Sequence, residues 1–177
     1  MVEFAFVAPM FFLLVLGIVV VGLVAGNQNL LSNSVRDVAR SAAICGGSSG
    51  PRDPLTELPA VGSLPAQSCS WAHLDTYAAA RLGQIGGNST LSAPAGGANC
   101  LALTSGAALV CLYDKGDAVK AIAGGSNPLD DCKAGYKIDI SSRYLQPVYL
   151  PLLGQFIGDN GTTTRTLTAD AEATCEQ

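Results

Sequence analysis

The sequence predicts an α+β protein, a long N-terminal apolar helix followed by a disulfide-bonded globular domain with an antiparallel sheet. Three observations predict it. Residues Phe4 to Ala25 form one apolar run, and helical spacing continues to about Ile44. Six cysteines all lie beyond that stem. Two later segments alternate in polarity with the two-residue period of half-buried strands. The chain therefore divides into a stem, residues 1–44, and an extracytoplasmic domain, residues 45–177.

The apolar run matches the roughly 20 residues needed to cross a bilayer core of about 30 Å. It contains no Lys, Arg, Asp, Glu or His, so nothing in it resists insertion. Asn27-Gln28-Asn29 turns polar, yet neither Gly nor Pro interrupts the chain from there to Cys45. Leu31, Val35, Val38 and Ala42 recur at helical spacing, with Arg36, Asp37 and Arg40 on the other side. A continuous helix over the whole stem would be roughly 60 Å long. A signal peptide fits poorly, because there is no basic n-region and the run exceeds the roughly 7–15 residues of an h-region. A buried soluble helix fits worse, since a core of this size does not surround so long an apolar helix. A plain single-pass anchor is the serious competitor. Against it stands Glu3, an acid at the start of an apolar helix where an anchor is expected to carry Lys or Arg. Pro9 supplies no amide to the turn before it, so the stem is expected to bend or loosen between Ala5 and Pro9.

Beyond the stem roughly 130 residues remain, enough for one domain with its own core and not two. Ser70 is placed to cap a helix over Trp71 to Ile85, with Leu74, Tyr77, Ala78, Leu82 and Ile85 as its apolar face and Gly86-Gly87 ending it. Leu101-Ala102-Leu103 and Ala108-Leu109-Val110 flank Ser105-Gly106, a two-residue hairpin turn. Tyr136 to Ile140 and Arg165 to Cys175 alternate as strands do. In the second, Leu167, Ala169, Ala171, Ala173 and Cys175 share one face. Pro147 and Pro151 interrupt the pattern between them, and Leu152 to Ile157 reads as a short helical turn. Residues 46–68 and 86–99, rich in Gly, Pro and Ser, read as loops.

Cys45, Cys69, Cys100, Cys111, Cys132 and Cys175 form an even set without a C-x-x-C spacing, and His73 is the single histidine. Disulfides in an oxidising compartment account for them better than zinc does. Connectivity is open, except that a turn at Ser105-Gly106 sets Cys100 opposite Cys111, about 5.5 Å apart in a hydrogen-bonded pair. Arg36 and Arg40 on the outer side oppose the positive-inside tendency, a conflict that a removed basic leader would resolve.

The net charge of −4 and scattered basic residues argue against nucleic acid as a partner. Catalytic constellations are missing. His73 beside Trp71 reads as a packed or surface histidine, with no nucleophile near it in the pattern. Asp114-Lys115-Gly116-Asp117 lacks the spacing and terminal Glu of a calcium loop, so a solvated turn is expected. The paired glycines have no strand–loop–helix context for phosphate. We therefore expect no enzyme, no cofactor and no metal site. Asn88-Ser89-Thr90 and Asn160-Gly161-Thr162 match the glycosylation sequon, making Asn88 and Asn160 candidate acceptors.

The words Val2-Glu3-Phe4-Ala5-Phe6-Val7-Ala8-Pro9, then Phe11-Phe12-Leu13-Leu14, resemble the N-terminal signature of TadE-like pilins. These are small pilin-like subunits of the Tad (Flp) branch of type IV pilus machinery. Val148-Tyr149-Leu150-Pro151-Leu152-Leu153 and the stretch from Thr164 to Thr174 also resemble that family, whereas the middle of the chain does not. Family members are cut after a Gly, usually leaving the acid fifth in the mature chain; here it is third, behind Met1. The resemblance implies a structural subunit of a pilus filament, a helical homopolymer used for surface attachment. Its N-terminal helix would form the filament core and its C-terminal domain the outer surface. Before assembly the chain would be a single-pass membrane precursor with a cytoplasmic N-terminus, handled by a prepilin peptidase and an inner-membrane assembly platform. Glu3, Phe4, Pro9 and the α-amino group of Met1 are the assembly residues so implied. A minor tip or priming pseudopilin, and a monomeric anchored extracytoplasmic binding domain, are the alternatives.

Overall fold

The computed structural model describes residues 2–46, 57–58, 67–85, 91–93, 100–120, 128–148, 158–159 and 163–175. Helix α1 (Val2–Cys45) is a single element of 44 residues that includes Pro9, about 66 Å long at the usual rise. Its two halves meet different surroundings. Leu31, Val35, Val38, Ala39, Ala42 and Ala43 are buried, as their spacing requires for a helix laid on a sheet. Below them, Phe11, Phe12, Leu14 and Ile18 are exposed.

Two short strands, β1 (Glu57–Leu58) and β2 (Gln67–Ser68), pair with each other. They lie in a stretch that reads as loop from sequence, and two residues are too short for periodicity to register. Helix α2 (Trp71–Leu82) begins where Ser70 caps it, the Ser70 Oγ accepting from the His73 N–H at 3.1 Å. Its end corrects the sequence expectation. The helix stops at Leu82, not Ile85, and Gly83 is the cap. Gly disfavours a helix interior by about 1 kcal/mol relative to Ala, and here the chain closes a turn in which the Ile85 N–H reaches the Leu82 carbonyl at 3.1 Å. That turn still delivers Ile85 to the core. Gly86 and Gly87 lie outside the described residues.

The main sheet has five antiparallel strands: β3 (Leu91–Ser92), β4 (Cys100–Ala102), β5 (Leu109–Tyr113), β6 (Lys137–Pro147) and β7 (Thr164–Thr174). β6 is its axis. β7 pairs along the whole of one side, Lys137 opposite Thr174 and Pro147 opposite Thr164. β5 and then β3 take the other side, and β4 lies outside β5. β6 runs well past Ile140 because Ser142, Tyr144 and Gln146 continue the buried face. Pro147 ends it. Ser142 is polar yet buried, and its hydroxyl donates to the Ala107 carbonyl at 2.6 Å, which offsets its desolvation. Leu167 and Ala169 of β7 are buried on the same face, and its even-numbered residues point outward. Leu152 to Ile157, expected to form a short helical turn, lie outside the described residues.

The β4–β5 hairpin keeps the expected centre but not the expected turn. Leu103 N–H bonds to the Ala108 carbonyl at 2.9 Å, so four residues form the loop, and Gly106 N–H closes onto Leu103 at 2.8 Å. Gly106 has φ +70°, where a side chain would be strained, and Asp75 of α2 anchors the tip by accepting the Ser105 N–H at 3.1 Å. Cys100 and Cys111 are opposite each other and bonded, with Cα atoms 4.4 Å apart. That is the narrow, non-hydrogen-bonded kind of pair, not the 5.5 Å kind, because the four-residue loop shifts the alternation.

Two further disulfides, Cys45–Cys69 and Cys132–Cys175, complete the set, and no cysteine is free. The core lies between the inner face of β5, β6 and β7, the upper half of α1, and α2 through Leu74, Tyr77, Ala78 and Leu82.

Candidate functional site

The largest unsatisfied feature is the lower half of α1. From Val7 to Leu23 nearly every large apolar side chain is exposed; Met10 is 77% exposed and Phe12 64%. Soluble monomers rarely leave an apolar patch beyond a few hundred Å² open to water. The segment is long and apolar enough to cross a membrane. Glu3 and Phe4 belong to its helical backbone, and Pro9 is exposed within it. Met1, Asn88 and Asn160 lie outside the described residues.

The domain takes hold of the helix in a defined zone. Val24 packs against the edge of the core. Four residues on, the Gln28 side-chain amide donates to the Thr168 carbonyl of β7 at 3.0 Å. β7 then follows α1 upward. Arg165 to Thr168 lie beside Val21 to Gln28, Asp170 and Glu172 beside Arg36 and Arg40, and Thr174 beside Ala43 and Ile44. Small residues on both partners, Ala39, Ala42 and Ala43 against Ala169, Ala171 and Ala173, permit this close approach.

The upper end is pinned from three sides. Asp37 accepts from the Arg81 guanidinium, tying α1 to α2 and raising the Arg81 pKa through that hydrogen bond. Cys45 is bonded to Cys69 just ahead of the α2 cap. A Cβ on Gly46 would stand 2.5 Å from the Cβ of Cys132, so only glycine lets the helix exit pass the third disulfide.

The outer face of the sheet carries Asp139 opposite Glu172, with Asp170 two residues along. Burial first, then the like charges of Asp170 and Glu172, push the Asp139 carboxyl up to about 6. Asp114 accepts the N–H groups of Gly116 and Ala118 at 2.8 and 3.1 Å, a turn that spends the carboxylate on backbone. Among the described residues no group of three His, Cys, Asp or Glu is set to hold a metal ion.

Sequence reasoning identified the stem and the cysteines but missed Gln28, the Asp37–Arg81 pair and Gly46. Gln28 had a visible signal, the polar triplet in an otherwise apolar helix. The other two depend on elements far apart in the chain.

No curated protein and no solved structure matches the chain. Residues 1–40, the exposed lower half of α1 together with the turns by which it enters the core, match the family model described as TadE-like protein.

Proposed function

We propose that this chain is a structural subunit of a TadE-like type IV pilus filament. The coarser reading, a pseudopilin associated with a Tad pilus, is what the family match supports. The observation that carries the finer one is an apolar stem left uncovered below Val24 while the same helix is sealed into a core above Leu31. Such a stem has two suitable surroundings, lipid and other stems, and exchange between them conserves buried apolar area. In this reading the precursor is held in the membrane with its N-terminus cytoplasmic, meets a prepilin peptidase and an assembly platform, and then adds to a homopolymer. The domain from Cys45 onward forms the outer surface, suited to attachment. We assign it no catalysis, no cofactor and no nucleic-acid partner.

Glu3 supplies the mechanism. A carboxylate among packed stems costs several kcal/mol unless paired, and the α-amino group at the start of the same or an adjacent stem is a suitable partner. Only correct docking compensates both charges, so the pair sets axial register. Glu3→Ala is expected to leave export, insertion and domain folding intact and to abolish or severely reduce filaments. Immunoblots of sheared and membrane fractions, with electron microscopy of the sheared material, measure this. Normal filament yield from the variant would sink the pairing mechanism. No filaments from the parent would favour the monomeric anchored binding domain.

A further inference from the structure

The lower rim of the domain stands at a height on α1 that bears on the membrane stage of the proposed function, and the inference rests on that reading. A bilayer core of about 30 Å that begins at Phe4 ends about 20 residues later, at Leu23. Gln28, which holds the Thr168 carbonyl, is then only about 7.5 Å above the hydrocarbon, within the headgroup layer. β7 ascends beside α1, so Arg165 lies nearer still to the bilayer, alongside Val21 and Val24. Arg143, opposite Thr168 on β6, adds a second cation at this end. The acid described there is Asp159, and its carboxylate accepts the Thr166 N–H at 2.6 Å. That hydrogen bond, with a smaller contribution from Arg165, holds its pKa below the ordinary range. The connection between β6 and β7 leaves at Val148 and returns at Gly158 at this same end, and residues 149–157 carry no charge.

We propose that this rim docks on the outer-leaflet phospholipid headgroups of the anchored precursor, with the Arg165 guanidinium on lipid phosphate. Arginine suits that contact, since its planar donor fork matches phosphate and its stem rests on apolar surface. Domain and membrane would then touch directly, and extraction into a filament would break that contact.

Trp71 is the single tryptophan, and it lies two residues beyond Cys69, which is bonded to Cys45 at the top of α1. It therefore stands about 33 Å above the hydrocarbon and serves as the distant reference. The test uses the full chain in phosphatidylethanolamine–phosphatidylglycerol vesicles with a nitroxide on the headgroup. Thr168→Trp in a Trp71→Phe background is compared with the parent. Because the two heights differ by about 25 Å, the rim indole is expected to lose roughly half or more of its emission and Trp71 almost none. Because α1 fixes the height of the rim, Arg165→Glu should keep the anchor and lower that quenching in part, by tilting the rim off the headgroups, and Arg165→Lys should keep it. A vesicle-bound chain whose rim indole is quenched no more than Trp71 would overturn the docking while leaving the anchor intact. Full quenching in Arg165→Glu would overturn the role of Arg165. A chain that does not stay with the vesicles after alkaline wash would overturn the anchored reading and this inference together.

Discussion

The two halves of α1, the lower almost wholly apolar and the upper interrupted by Asn, Ser, Arg and Asp, have opposite fates. Above Leu31 each turn presents Val35, Val38 or Ala42 to a sheet and is sealed. Below Val24 the large apolar side chains from Val7 onward circle the helix largely exposed, with Val21 brought beside β7 at Arg165. The difference teaches that one continuous helix can carry two separable functions. Its upper half is a core element that determines whether the domain folds. Its lower half contributes almost nothing to that fold, and its apolar surface is kept for an environment the monomer does not supply.

An acid placed in each half breaks the comparison most sharply. Val38→Asp buries a charge without a partner, and a loss of roughly 3–5 kcal/mol is expected, a large share of a typical domain stability. Leu14→Asp is expected to leave the thermal unfolding of the detergent-solubilised domain unchanged. It should instead impair insertion, by about 2.5–3.5 kcal/mol for an acid at the centre of a span. Thermal denaturation and alkaline extraction of membranes read the two effects separately. Equal destabilisation by both variants would show that the stem is part of the folding unit.

Glycines sharpen it at lower energy. Gly22→Ala sits in open space and exchanges a poor helix former for the best one, so the domain should keep its midpoint. Gly46→Ala drives a methyl group into Cys132, and typical overpacking costs about 1–3 kcal/mol. Denaturant titration of both variants checks the ranking. A neutral Gly46→Ala would mean that the third disulfide yields at no cost, contrary to a tight exit of α1.

Much of this was legible in the sequence, for reasons that differ by element. The stem was readable because length and absence of charge are one-dimensional properties. The β7 face was readable because ten residues, Thr166 to Cys175, alternate without a break, and the Cys100–Cys111 pair because a hairpin is local. What failed was also local but energetically close. The end of α2 at Gly83 turns on about 1 kcal/mol, and in the four-residue loop at Ser105 the carboxylate of Asp75, thirty residues away, contributes to the choice. The contacts that join helix to domain were out of reach, because Gln28 meets Thr168 across 140 residues and nothing in either neighbourhood announces the other.

The smallest effect expected separates the sealed face of the sheet from its outer face. Asp139 is ionised with difficulty, held up to about 6 by burial and by Asp170 and Glu172 on β7. Lys137, nearest on its own strand, is engaged with Asp117 at 2.5 Å and its own pKa is raised by that hydrogen bond. On β5 the facing residue is the bonded Cys111, and Tyr113, two residues along the strand, has its pKa raised by burial and by Asp139. The sign follows from proton counting. Between about 4 and about 6 the folded state binds the Asp139 proton more tightly than the unfolded chain does, so this group's contribution falls as pH rises through that window and is flat above it. Asp139→Asn removes the slope. The variant should gain about 1 kcal/mol at pH 7, a figure reduced for solvent screening of a carboxylate only partly buried, and nothing at pH 4. Urea titrations of both proteins at the two pH values measure it. A gain of equal size at both would assign the effect to packing or hydrogen bonding of the amide, and the carboxylate ladder Asp139–Glu172–Asp170 would carry no electrostatic strain.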